Sequence, residues 1–211
     1  MIKYIGVCVG PIQTNCYIVY NDETMEAIII DPGDEAERIA RKILSKNLKP
    51  VAILLTHGHF DHISAADELR AKYGVKIYAP KADKEYLRNA TLNLSLDFEN
   101  LRVEVNADVF LEDGQELDFI GKKIKCIETP GHTPGGMCFL FSAPDNLLFA
   151  GDTLFRDSHG RTDFYGGSIR DLRNSIVDKL FVLPDETEVF PGHGPSTDIG
   201  YEKKYNMILW G

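Results

Sequence analysis

Five of the six histidines in this chain stand in three short motifs. His57, His59 and His62 fall in T-H-G-H-F-D-H, His132 opens H-T-P-G-G, and His193 sits within P-G-H-G-P. Two carboxylates accompany them, Asp61 inside the first motif and Asp152 in A-G-D-T-L-F. Neutral imidazole and carboxylate oxygen are ligands that zinc, iron and manganese all accept. His57 and His59, two apart on an irregular loop, can face one ion, with His132 as a third imidazole. Asp61 and His62 come where a helix begins, offset from that pair, and with His193 they form a second set. Asp152 has two oxygens and can bridge the sets. Two ions about 3.5–4 Å apart would share a water, and a hydroxide formed there near neutral pH needs no serine or cysteine nucleophile. A single ion is the alternative that the spacing leaves open.

Such ligands need a frame that brings distant positions together. Apolar, β-branched runs predict strands over 2–9, 15–20, 26–31, 51–56, 75–79, 102–106, 115–120, 123–128, 137–142, 147–151 and 188–190. Helical patterns fall at 35–47, with Asp34 as its N-cap, after His62 with Ile63, Ala66 and Leu69 on one face, near 81–88, at 168–180 and near 199–209. His57 directly follows one strand, and His132, Asp152 and His193 each follow another. Strand ends gathered at one edge of a packed sheet structure can build one site on a rigid frame.

At 211 residues the chain is expected to form one domain, 1–211, with a core that needs no disulfide support. A net charge of −9 offers no basic stripe for nucleic acid. No apolar stretch approaches the ~20 residues of a membrane span, and M-I-K-Y-I-G-V lacks a secretion signal. Cys8, Cys16, Cys126 and Cys138 form no C-x-x-C pair and read as small buried thiols in a reducing compartment, so the cytoplasm is expected. A small-molecule substrate is the expected partner.

H-x-H-x-D-H with the later His, Asp and His resembles the pattern of the metallo-β-lactamase superfamily. G-H-T-P-G, G-D-T-L-F, G-R-T-D-F at 160–164 and P-G-H-G-P are most similar to its compact, single-domain glyoxalase II-like members. The resemblance runs from about Gly10 to Asn206. It implies an α/β fold, an αββα sandwich of two mixed β-sheets flanked by helices. It also implies a dinuclear, zinc-first metal site on His57, His59, Asp61, His62, His132, Asp152 and His193, with iron or manganese able to substitute. The implied reaction is hydrolysis of a hydroxyacyl thioester by a metal-bridging hydroxide that Asp61 helps to orient. Glyoxalase II proteins carry a further helical region that contributes to glutathione binding, whereas only Gly194–Gly211 follow the last ligand here, so weak discrimination between thiol carriers is expected. An iron-dependent persulfide dioxygenase-like oxidoreductase shares several of these motifs and is the rival reading, as is a lactone or other ester hydrolase.

Other residues have two readings each. Asp31 either orients a ligand imidazole or ends a strand in an Asp-Pro turn. Tyr165 falls where the resemblance implies a tyrosine that helps bind the thiol arm. Arg161 and Asp163 read first as a salt bridge shaping a loop and second as a site for a substrate carboxylate. Phe60 and 89–96 line an apolar pocket or simply pack, and His159 reads as an exposed loop histidine.

Overall fold

The computed structural model describes residues 1–210 and has four layers, helix–sheet–sheet–helix. The first sheet runs in chain order, β1 (Ile2–Val9), β2 (Thr14–Asn21), β3 (Glu26–Ile30), β4 (Lys49–Leu54), β5 (Lys76–Pro80) and β6 (Val109–Leu111). Its first three strands are antiparallel and its last four parallel, so both kinds of ladder share one sheet. The second sheet is built from β7 (Glu116–Phe119), β8 (Lys122–Glu128), β9 (Met137–Phe141), β10 (Leu147–Gly151), β13 (Glu188–Pro191) and β14 (Thr197–Asp198). Its order is β14-β13-β10-β9-β8-β7, with only the β10–β13 pair parallel. Between the second-sheet strands lies a short hairpin, β11 (Leu154–Phe155) and β12 (Ser158–His159).

The period-2 alternation of strands assigns each side chain to a layer. Val19, Ile28, Ile30 and Leu54 face inward and meet Cys126, Phe139, Phe149 and Phe190 between the sheets. Their neighbours Ile18, Ile29 and Ile53 face outward, under α1 (Ala36–Ser45) and α3 (Ala66–Tyr73). Across the molecule, Leu148 and Val189 face out under α5 (Ile169–Asn174) and α6 (Ile199–Tyr205). Strands β3, β9 and β10 are therefore buried on both faces, which is why they read as unbroken apolar runs.

Several boundaries differ from the sequence reading. Residues 102–106 form no strand. Val105 is buried, but its N–H goes to Leu87 O at 2.7 Å, so the alternating apolar pattern packs without a ladder. Asp34 does not cap α1: Glu35 takes the cap position with φ 51°, and the Asp34 carboxylate accepts from the Glu35 N–H instead. The helix after His62 is split into α2 (Phe60–Ile63) and α3, and the segment near 81–88 is two single 3₁₀ turns, Lys81–Asp83 and Tyr86–Arg88. Within 89–96 the chain turns and then starts α4 (Ser95–Glu99). The 168–180 helix continues past α5 as a π-helix, Ser175–Leu180, and the one at 199–209 ends as a 3₁₀ turn, Met207–Leu209. Cys16, Cys126 and Cys138 are buried, whereas Cys8 faces solvent on the edge strand.

Strands β4, β8, β10 and β13 set the site. In the second sheet β8, β10 and β13 run the same way, so their C-terminal ends share one edge. The first sheet brings β4 to that edge, where Met137 N donates to Thr56 O at 2.9 Å and Asn15 N to Gly192 O at 2.7 Å. Tyr17 adds its hydroxyl to Pro191 O at 2.7 Å.

Candidate metal centre

His57 and His59 follow β4, Asp61 and His62 lie in α2, His132 follows β8, Asp152 follows β10 and His193 follows β13. The loops that carry them are pressed together too closely for side chains. A Cβ on Gly192 would lie 2.2 Å from Asp152 Oδ1, and one on Gly58 would lie 2.5 Å from Tyr86 Cβ. These glycines between ligands are therefore spatial requirements of the site.

The structure gathers all seven sequence-expected ligands. His57, His59 and His132 form one group, Asp61, His62 and His193 another, and His57, His62 and Asp152 a third, each with ligand atoms within 4.8 Å of one another. Asp152 lies between them. Its Oδ2 is 3.5 Å from both His132 Nε2 and His193 Nε2, and its Oδ1 is 3.4 Å from His62 Nε2.

Three of the imidazoles have a fixed partner on one nitrogen. His57 Nδ1 lies 3.1 Å from Thr56 Oγ1, His62 Nδ1 lies 2.9 Å from Asp31 Oδ2, and His132 Nδ1 lies 2.7 Å from the Arg161 carbonyl. Partners of this kind hold the tautomer and aim the other nitrogen. His57 Nε2 and His62 Nε2, aimed in this way, are buried without a hydrogen bond, as are His59 Nε2 and Asp152 Oδ1. An unsatisfied buried polar group costs about 1–3 kcal/mol, so four together call for a ligand. His59 Nδ1 also lies 2.9 Å from His132 Nε2, a separation at which two imidazole nitrogens share a proton or an ion. The donor set therefore fits divalent metal.

The charges differ across the site. Burial, with His62 nearby, drives the pKa of His57 well down, and burial with His132 nearby takes His59 down to about 3. Burial works against protonated His62 too, but Asp61, Asp152 and Asp31 surround it and raise its pKa well above the ordinary value. His193 is raised likewise, its burial outweighed by Asp61 and Asp152. Asp61 is lowered to about 2 because His62 and His193 overcome its burial, and Thr14 Oγ1 donates to its Oδ2 at 2.8 Å.

Asp31 is thus an orienting residue: besides holding His62, it accepts from Thr56 N at 2.7 Å and Thr56 Oγ1 at 2.6 Å. Asp83, which the sequence reading passed over, is fully buried and accepts from Gly58 N, Thr133 Oγ1 and Gly135 N at 2.7–2.9 Å. It ties the His57–His59 loop to the His132 loop. A lone aspartate in K-A-D-K-E-Y looks like a surface turn, so no sequence signal marks it.

A pocket opens over the ligands. Phe60, Arg161 and, from the 89–96 stretch, Leu94 line it, with Phe98, Phe155 and Phe164, which sequence reading did not single out. Tyr165 lies outside: its side chain is 76% exposed, and its carbonyl accepts from Tyr86 Oη. The neighbouring Phe164 faces inward in its place. Arg161 and Asp163 form a two-point pair at 2.9 and 2.7 Å on the pocket rim. His159 is half-buried and lines the pocket, with Nδ1 2.8 Å from Gly160 O. The β11–β12 hairpin that carries Phe155 and His159 is held from α6. Buried Glu202 accepts from Asp157 N, Thr197 Oγ1 and Asn206 Nδ2, and Asn206 reaches Phe155 O and Ser158 O.

Two mixed sheets between helical layers, with His and Asp ligands gathered at their shared edge, define a metallohydrolase class of structure. The chain belongs to the metallo-β-lactamase superfamily, whose pattern it matches over residues 9–193. It is 40% identical to a probable metallo-hydrolase, YqgX, of Bacillus subtilis over 210 residues, covering 99% of this chain and 98% of that one. It is 37% identical over 209 residues to the hydroxyacylglutathione hydrolase GloC of Haemophilus influenzae, covering 93% of each. Among solved structures it resembles BLEG-1, described as a B3 metallo-beta-lactamase, with 39% identity, a TM-score of 0.93 and full coverage of both chains. It also resembles TTHA1623 in a di-iron-bound form, with 36% identity and a TM-score of 0.86 over 97% of this chain and 100% of that one. Among the described residues no helix is long and apolar enough to cross a membrane.

Proposed function

We propose that this protein hydrolyses thioesters, of the hydroxyacyl-thiol kind, using two divalent ions with zinc as the first choice. The observation that carries this reading is the gathering of two His/Asp triads around Asp152, with buried imidazole nitrogens that make no hydrogen bond. The likeness to GloC supports the choice of thioesters. His57, His59 and His132 would hold one ion, Asp61, His62 and His193 the other, and Asp152 both. Bound there, the ions supply Lewis acidity for a carbonyl and bring the pKa of water towards 7.

The chain's own groups do the rest. The Arg161 carbonyl and Asp31 fix the two imidazoles nearest Asp152, so the reacting carbonyl meets a rigid set of donors. Thr14 donates to one Asp61 oxygen and so fixes the carboxylate that would help to orient a water. Phe60, Phe98 and Phe164 exclude bulk water, which strengthens every charge interaction in the pocket. The protein is expected to work in the cytoplasm on a small molecule rather than on nucleic acid.

A second reading, β-lactam hydrolysis, is favoured by the likeness to BLEG-1, and the di-iron form of TTHA1623 makes iron the competing metal. Metal analysis with a panel of thioesters, lactones, β-lactams and phosphodiesters tests both. Thioesters should lead by at least roughly a hundredfold in kcat/KM, or about 2.7 kcal/mol. Thioester turnover no faster than that of chelator-stripped protein rejects the proposal. Iron with oxygen uptake on a persulfide moves it to the oxidoreductase reading.

A further inference from the structure

The pocket above the metal centre has a neighbour. A second hollow lies beside it, lined by Val9, Pro11, Leu101 and Val103 together with Asp34, Ser64 and Thr14. The two share Ile12, Phe60 and Asp61, so they part around the Ile12–Phe60 pair and meet at a metal ligand. A thioester has this shape: one reacting carbonyl with an arm on either side.

The walls also state what those arms carry. The first hollow presents Phe98 and Phe164, whose rings are 6.5 Å apart, and Phe60, which stacks on Phe98 at 6.1 Å. Its one Lys or Arg side chain is Arg161. That guanidinium is already paired twice with Asp163 and lies 4.2 Å above the Phe164 ring. In the second hollow no Lys, Arg or His lines the wall among the described residues, and its charged groups are Asp34 and Asp61. A carboxylate seated in either hollow would thus meet no unpaired Lys or Arg side chain among the described residues to offset its desolvation. Apolar surface at the rims is left to be covered instead: Phe98 is 54% exposed and Leu101 53%.

Resting on the thioesterase reading, we propose that this site selects uncharged, apolar thioesters, with one arm in the Phe98–Phe164 hollow and the other in the Leu101–Val103 hollow. Carriers with free carboxylates, glutathione among them, are poor substrates by this argument even where the acyl group is right.

The experiment uses metal-replete protein and matched thioesters in which one acyl group is joined to benzyl mercaptan, N-acetylcysteamine or glutathione. A second series varies the acyl group on one thiol. Non-hydrolysable thioethers of the same compounds are bound by calorimetry. The benzyl thioester should exceed the glutathione thioester at least tenfold in kcat/KM, about 1.4 kcal/mol, and the thioethers should bind in the same order. Phe98→Ala and Leu101→Arg should weaken binding of opposite ends of the substrate, each about fivefold or more. Both rims are exposed, so these variants should keep the fold.

Equal or better use of the glutathione thioester overturns the inference and leaves the thioesterase reading standing. So does a pair of variants that respond to the same end. If thioethers bind in the expected order but no thioester is cleaved, the selectivity stands and the thioesterase reading falls.

Discussion

The two halves of the metal centre are made differently. The half around His57, His59 and His132 is all imidazole and buried, with loops bound to each other through Asp83. Burial pushes the pKa of both His57 and His59 down, so these two imidazoles stand neutral at physiological pH. The half around Asp61, His62 and His193 is partly open, includes a carboxylate and is held by Asp31 and Thr14. There His62 and His193 hold protons more tightly than usual. One half is ready for a cation, whereas the other must give up protons to take one. Equal ligand counts therefore do not mean equal affinity.

The change that should erase this difference altogether is Asp152→Ala. One side chain faces both halves, so occupancy should fall in both and kcat/KM should drop more than about a hundredfold. Elemental analysis of folded variant protein that still holds two ions would remove Asp152 from its bridging role.

Next in size are the two orienting carboxylates. Asp31→Asn should weaken the Asp61–His62–His193 half, and Asp83→Asn the other half, each roughly 10–100-fold in metal affinity. Competitive chelator titration resolves the two sites. Loss of the same ion from both variants would mean that the halves are one unit.

Acidity should then separate the halves without mutation. Second-ion affinity should rise with pH between 5 and 7, with log affinity climbing by roughly one to two per unit as His62 and His193 release protons. His57 and His59 add no such dependence to the first ion there, because burial keeps both without a proton. The sign also shows in metal-free stability. His59, depressed, withdraws stability as pH falls from 6.5 towards 3, at about 1.4 kcal/mol per unit. His62 and His193, raised, contribute theirs fully below 6.5 and lose it as pH climbs through their folded values. Proton release measured in buffers of different ionisation enthalpy checks the binding claim, and parallel slopes for both ions would contradict it.

The smallest effect belongs to His159→Ala. The imidazole lines the pocket but reaches no ligand, so both ions should stay and kcat/KM should change less than about tenfold. Loss of either ion, read by elemental analysis, would make His159 part of the metal centre.

The cluster of candidate ligands was legible in the sequence because metal chemistry restricts residue type, and each motif followed an apolar run long enough to read as a strand. The layers were legible for the same reason, since strands buried on both faces leave unbroken β-branched stretches. Asp83 was not, because its importance lies in three donors from segments 25 to 52 residues away. The aromatic walls were not legible either: Phe98, Phe155 and Phe164 stand in irregular or very short elements where no period fixes which way a side chain faces. Tyr165 shows how sharp that limit is, since a shift of one residue exchanges pocket for solvent. The expected strand at 102–106 failed because a V-x-V pattern records burial and says nothing of a ladder partner.

The ligands are also spread unevenly in time. A ribosome emits the all-imidazole triad in full once His132 is made, whereas the second triad waits for His193 and the hairpin clamp for Asn206. At usual rates of synthesis, the roughly 60 residues between those two histidines take about 3–12 s. For that interval the nascent chain carries the three imidazoles of the first triad without the residues that complete the second. The order of synthesis is therefore the order in which the two triads can be completed, the all-imidazole one first.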